Sequence, residues 1–331
     1  MNAQRLAQVG YENYHQMLSD SARNRAYRAA IFEKVKPGDV VIDLGAGTGL
    51  LSIWAVQAGA QKVYAIEKTD SIHLAKEIAR TNGCADKIVF LNENSVDVEL
   101  PERANVLLSE TLGSFGIDEN TLHFTADVKR RLLTDDATLI PQSLDLFAAP
   151  FSDAKAYEKL DFWRQIPGVD FTPAFELFSR KIMVETVEKK GLLAEPIRLA
   201  EIDFRENFAE EFCDTFQFRM QKSGTLHGIA AWFRVVLCDG IEISTSPKHP
   251  QTHWKQAFFP FRDSISVVKG DILEWSVDVD SVRHDSDDTT ISYDYRCTQL
   301  NNEVKRPSLA VGRNDPCSCG SGLKSKKCCN R

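Results

Sequence analysis

Two glutamates, Glu110 and Glu119, stand with eight residues between them, and the intervening stretch carries Gly113 and Gly116. Carboxylates that bracket a flexible loop can converge on one bound cation. A guanidinium suits such a pair, because its planar fork makes bidentate bonds to carboxylates. Taken alone, Asp118-Glu119 reads better as the acidic cap of a helix. A second constellation lies upstream. The apolar run Val40-Val41-Ile42-Asp43-Leu44 leads into Gly45-Ala46-Gly47-Thr48-Gly49, and the next apolar run ends at Glu67. Glycines after a strand let the backbone approach a ligand closely. A dinucleotide fingerprint would need glycine at position 50, where Leu50 stands. Glu67 can accept both hydroxyls of a ribose. Asp43, Gly45, Gly47, Gly49 and Glu67 therefore fit a nucleoside cofactor without a pyrophosphate, for which S-adenosylmethionine is the candidate. The plainer alternative is a tight structural turn beside an exposed glutamate. A third group, Cys317, Cys319, Cys328 and Cys329, crowds into the last fifteen residues. Four thiolates so close suit tetrahedral Zn²⁺ with no open position, hence a structural metal.

These side chains need elements to position them. Residues 21–35 carry apolar residues at helical spacing and stop at Lys36-Pro37-Gly38. Strand and helix patterns then alternate: Val40–Leu44, Leu50–Ala58, Val63–Ile66, Ser71–Asn82, Ile88–Leu91 and Val106–Leu108. Such alternation predicts an α/β, Rossmann-like parallel sheet. After Pro141 the texture changes to strand-like runs at 230–237, 265–268 and 290–295, with helical periodicity confined to parts of 152–215. An antiparallel β domain with a helical insertion is expected there. The chain thus divides into an N-terminal helical segment (1–35), a cofactor domain (36–141), an antiparallel β domain (142–300), a linker (301–312) and a cysteine-rich knuckle (313–331).

The whole set resembles the protein arginine methyltransferase family. Residues 41–49 are similar to its cofactor loop, Glu110 and Glu119 to its pair of glutamates, and Thr252-His253-Trp254 to its T-H-W loop. Met17-Leu18-x-Asp20-x-x-Arg23-x-x-x-Tyr27 resembles its cofactor lid. The resemblance implies that Glu110 and Glu119 grip a substrate guanidinium and that His253 pairs with Asp20. It also implies a lid helix within 1–35 and a β-barrel over 142–300, that Arg23 binds the cofactor's carboxylate, that Trp254 walls the substrate pocket and that Met17 packs against the cofactor and the glutamate loop. The segment from Tyr157 to Phe178, within an arm of about 155–185, resembles the family's head-to-tail dimerisation arm; Phe162, Trp163, Phe171, Phe175 and Phe178 would supply the apolar area, unless they are internal core. Three departures stand out. The family's Trp-Met-Gly-Tyr after the first glutamate is Thr111-Leu112-Gly113-Ser114 here, the lid aromatics are reduced to Tyr11 and Tyr14, and the acid that reads adenine has no counterpart near Ser95-Val96-Asp97.

Asn314 to Cys329 resembles the SEC-C motif, a short zinc-binding knuckle. A segment this small lacks a hydrophobic core, so metal binding and folding should be coupled. Of the net charge of −7, residues 304–331 contribute +6, which leaves −13 on the remainder. An acidic body favours a basic partner or substrate and disfavours DNA, unless it serves solubility alone; the family resemblance makes that substrate a basic or arginine-rich protein. The basic tail points to an acidic protein or a ribosome as its partner. No run of about 18 apolar residues occurs and the start lacks an apolar stretch, so a cytoplasmic enzyme is expected. Two other readings fit the same scaffold: a methyltransferase for another amine or small acceptor, and a non-catalytic adaptor working through the knuckle.

Overall fold

The computed structural model describes residues 11–280 and 290–298. The linker at 301–312 and the knuckle with its four cysteines lie outside the described residues, as do the first ten residues. The chain divides into two compact units. Unit 1 takes the described residues of Met1–Leu146, Ala200–Glu210 and Trp232–Lys255; unit 2 takes those of Phe147–Leu199, Glu211–Ala231 and Gln256–Arg331.

Unit 1 is built on β1 (Val40–Leu44), β2 (Lys62–Ile66), β3 (Ile88–Leu91), β4 (Ala104–Ser109) and β5 (Leu133–Ile140). They form one sheet in the order β3-β2-β1-β4-β5, with every neighbouring pair parallel. Its helices are α1 (Tyr11–Ser19), α2 (Ser21–Lys34), α3 (Leu50–Ala58), α4 (Ser71–Thr81) and α5 (Thr121–Leu132). The central strands read as unbroken apolar runs because both faces are covered. Val41, Ile42, Leu107 and Leu108 accordingly have almost no exposure. Strand order reverses between β1 and β4, which opens a crevice at their carboxyl ends. The glycine loop and Glu110 leave the sheet at that edge.

The elements expected over residues 21–108 form at nearly the expected bounds, and β5 was not among them. Its Asp135-Asp136 pair breaks the apolar pattern. The register jumps from Ala104↔Leu133 to Val106↔Thr138, so a bulge in β5 takes up that acidic pair.

The remaining strands are β6 (Ser143–Phe151), β7 (Met183–Glu185), β8 (Ile197–Asp203), β9 (Phe212–Arg219), β10 (Gly224–Cys238), β11 (Ile241–Ser244), β12 (Gln256–Val267), β13 (Ile272–Asp280) and β14 (Thr290–Thr298). One sheet runs β7-β12-β10-β6-β8 with β11 on β10, and a second runs β14-β13-β9. β13 alternates as a half-buried strand should, with Leu273, Trp275, Val277 and Val279 inward and Glu274, Ser276 and Asp278 outward. Inside unit 2, Trp275 meets the ring of Phe259 edge-on at 5.3 Å.

The helical insertion of unit 2 consists of α6 (Ala154–Asp161) and α7 (Thr172–Phe178). Asp153 caps α6 by accepting the N–H groups of Lys155 and Ala156 at 2.9 and 3.1 Å. Phe175 turns inward under the Arg164 guanidinium, 3.6 Å from its ring centre, and Trp163 packs on Phe178 at 4.8 Å. Phe162, Val169 and Leu177 remain more than half exposed.

Candidate active site at the strand ends

Every site residue expected in the described part of the chain belongs to unit 1. The cofactor loop is a chain of left-handed turns: Gly45, Gly47 and Gly49 have φ of 72°, 52° and 78°. Glycine is also required by space. A Cβ at Gly45 would stand 2.7 Å from Thr111 Cγ2, and one at Gly47 would stand 3.2 Å from the ring of Tyr14. Helix α1 therefore lays an aromatic ring across the loop. Glu67 is fixed at the end of β2, its two oxygens accepting N–H bonds from Gly47 at 3.0 Å and Thr69 at 2.8 Å. Asp43 is buried, and its Oδ2 accepts the Ser52 hydroxyl at 2.6 Å while Oδ1 has no partner. Burial pushes its carboxyl up to about 6, against the pull of the Ser52 bonds.

Arg23 lies on the first turn of α2 and is buried. Its Nε donates to Glu110 Oε2 at 2.8 Å and an Nη closes a second contact with the same oxygen. The guanidinium expected on a cofactor carboxylate thus holds the first glutamate of the pair. Tyr27, one helical turn further on and fully buried, donates to the carbonyl of Ser109 at 3.1 Å and ties α2 to the end of β4. Glu119 sits exposed at the far end of the inter-glutamate loop, just before Asn120, which takes a left-handed φ of 56°.

Asp20 joins two of these groups. As the N-cap of α2 it accepts the N–H groups of Ala22 and Arg23 at 3.1 and 3.0 Å through Oδ1. Its Oδ2 is 2.9 Å from both the backbone N and the Nδ1 of His253. Burial alone would raise the Asp20 carboxyl. The His253 ring bond and the N–H bonds of Arg23 and His253 outweigh it and bring the group down to about 2. An ionised Asp20 fixes Nδ1–H as the donor, which leaves Nε2 of His253 able to take a proton. Trp254 is buried, tilted onto His253 at 4.1 Å and edge-on to Phe233 at 5.4 Å. Met17 is partly exposed on α1, and its carbonyl accepts the Asp20 N–H at 3.2 Å.

Sequence reasoning missed two of the interactions. The Arg23–Glu110 ion pair links residues 87 apart, and no local pattern signals it. Asp118, adjacent to Glu119, does not cap the helix that follows. Asn120 is the N-cap of α5, and the Asp118 carboxylate turns back toward Ser114 and Phe115.

Residues 142–299 match the arginine methyltransferase oligomerization subdomain. Residues 28–130 match the ribosomal protein L11 methyltransferase family, and residues 313–331 match the SEC-C motif. Protein arginine N-methyltransferase 6 of Xenopus tropicalis is 32% identical over 280 residues, covering 78% of this chain and 82% of the relative. Protein arginine N-methyltransferase 1 of Saccharomyces cerevisiae is 29% identical over 297 residues, covering 86% and 85%. Among solved structures, the Trypanosoma brucei PRMT1 enzyme–prozyme heterotetrameric complex with AdoHcy aligns with a TM-score of 0.78 at 23% identity, covering 89% of this chain and 96% of that one. A PRMT6–SAH structure aligns with a TM-score of 0.66 at 24% identity, covering 86% and 99%.

Proposed function

The chain belongs to the protein arginine methyltransferase family, and from that membership we propose that it transfers a methyl group from S-adenosylmethionine to arginine side chains of proteins. The strand ends suit that cofactor. Asp43, Glu67 and Glu110 put three carboxylates around the crevice against the one guanidinium of Arg23, which favours a cationic nucleoside over a pyrophosphate. The unpartnered, buried Oδ1 of Asp43 calls for a donor from a ligand. Asp43, Gly45, Gly47, Gly49 and Glu67 would hold the cofactor, with Arg23 beside its carboxylate. When bound, the cofactor supplies a methyl group made electrophilic by a sulfonium.

The work of the protein is then to aim a nitrogen. Glu110 and Glu119 take the substrate guanidinium between them, orienting one nitrogen and drawing positive charge away from it, so that positioning and charge alignment supply most of the acceleration. His253 Nε2 receives the proton that the methylated nitrogen sheds, while Asp20 holds the other face of the imidazole. Trp254 braces His253 and walls that end of the pocket, with Met17 beside it.

The observation that carries this reading is the meeting of residues 20, 23, 110 and 253 through two hydrogen-bonded pairs, Asp20–His253 and Arg23–Glu110. Transfer of labelled methyl to an arginine–glycine peptide tests it. Glu110→Gln and Glu119→Gln are each expected to lower kcat by at least roughly a hundredfold while cofactor still binds. Cofactor binding without label on arginine in the wild-type reaction refutes it.

Three further readings complete the proposal. Residues 36–141 serve as the cofactor domain and 142–300 as the substrate domain, the latter carrying an arm through which two copies associate. The family match over 142–299 supports the arm's role. Cys317, Cys319, Cys328 and Cys329 form a structural Zn²⁺ site, supported by the four-thiolate donor set and by the SEC-C match. The enzyme works in the cytoplasm on basic proteins, in keeping with its acidic body. Among the described residues no helix is long and apolar enough to cross a membrane.

A further inference from the structure

We propose that Asp118 is the positioning residue of the inter-glutamate loop, setting the direction in which Glu119 is presented to a substrate guanidinium. This rests on reading Glu110 and Glu119 as the guanidinium ligands. The carboxylate of Asp118 reaches back over its own loop. Oδ2 accepts the N–H of Ser114 at 3.0 Å and its hydroxyl at 3.1 Å, and Oδ1 accepts the N–H of Phe115 at 2.9 Å. A backbone bond from Gly116 to the Gly113 carbonyl, at 3.1 Å, closes the same turn.

Gly113 is part of the device: a Cβ there would collide with the Asp118 carboxylate, so the missing side chain makes room for it. Gly116 does the same on the other side, where a Cβ would lie 3.1 Å from the ring of Phe233. Phe115 and Ile117 are fully buried, so the turn cannot slide along its own sequence. On the far flank, buried Asn120 begins α5 in a left-handed conformation, and the Thr121 hydroxyl donates to the carbonyl of Thr111. Glu119 is therefore set between two fixed points, Asp118 and Asn120.

Burying a carboxylate is unfavourable unless donors compensate. Burial does push the Asp118 carboxyl up, with the Phe115 and Ser114 donors pulling it back. An aspartate serving the helix would face forward, toward the free N–H groups of the first turn of α5. This one faces backward into the segment that separates the two glutamates. Its task is the shape of that segment.

The test uses the full-length protein, the isosteric Asp118→Asn variant and Ser114→Ala. The amide introduced by Asp118→Asn would set a second donor against a donor of the loop, while leaving size unchanged. The expected result is a kcat on an arginine–glycine peptide lowered roughly tenfold to a hundredfold, with the cofactor Kd within about twofold of wild type. Ser114→Ala, which removes one bond of three, is expected to give a smaller loss in kcat. Hydrogen exchange at residues 114–116 should accelerate in Asp118→Asn while residues 40–67 stay protected. A wild-type kcat in Asp118→Asn overturns the proposal. So does a parallel loss of cofactor affinity and of protection at residues 40–67, which would mark a general stabilising role. If the wild-type protein methylates no arginine, the functional reading fails by itself. The exchange data then decide alone: acceleration confined to 114–116 supports the Asp118 clamp, and unchanged exchange there overturns it.

Discussion

Asp20 carries two duties that a single substitution can separate. Its Oδ1 caps α2 and its Oδ2 anchors His253. Asparagine keeps a capping oxygen but turns a donor toward the His253 N–H, whereas alanine removes both functions. Asp20→Ala should therefore lose about 1 kcal/mol of stability through the cap and the His253 anchor besides, whereas Asp20→Asn keeps the cap, loses only the anchor and falls in kcat. Equal melting losses in the two variants would contradict the separation. The pH dependence has a definite sign. A carboxyl lowered from 3.8 to about 2 contributes stability that is fully present above its unfolded pKa and is lost as pH falls through about 2. Acid titration of the wild-type and Asp20→Asn proteins should converge in that window and run parallel above it.

At the scale of elements, the glycine loop and the loop after β4 are one mechanical unit. The space that a side chain on Gly45 would need is filled by the methyl of Thr111. Gly45→Ala should thus be destabilised twice, by about 1–2 kcal/mol for the left-handed backbone and again by that collision. Thr111→Ser removes the methyl and is expected to recover about 1 kcal/mol of the loss in the double variant. Simple additivity in melting experiments would show the loops to be independent. The same scale explains what could be read in advance. The βα units were legible because glycines, apolar runs and terminal acids lie close together in sequence. The Asp20–His253 pair spans 233 positions and was reached only through a family resemblance. The Asp118 clamp was hidden because an aspartate before a helix ordinarily caps it, and only the direction of its carboxylate reveals otherwise. β8 and β9 escaped notice within a window read for helical periodicity, since their exposed polar residues, such as Glu201, Asp214 and Gln217, dilute the alternation.

For the whole molecule, the proposed arm and knuckle give separate expectations. Phe162, Val169, Leu177 and Val184 are large apolar side chains that the arm leaves at its surface. Leu177→Asp should shift light scattering from dimer to monomer and lower kcat, because a charge in a desolvated contact has no partner. A variant that scatters as wild type would remove the arm from the interface. Cys319→Ser is expected to release bound Zn²⁺, read by metal analysis, while peptide methylation stays unchanged. Lost methylation would make the knuckle part of the enzyme instead of a docking device.

Unit 1 is assembled from three separated stretches, the last ending at Lys255. A ribosome delivers residues in order, and at about 5–20 per second the stretch between Leu146 and Lys255 takes roughly 5–20 seconds to emerge. During that interval Asp20 has no His253 to hold, and Phe233 has not yet closed over Gly116. The nascent cofactor crevice must wait, partly formed, for its own last segment. Activity in this protein is therefore a late event in its synthesis, and a fragment ending near residue 146 is not a smaller enzyme but an unfinished one.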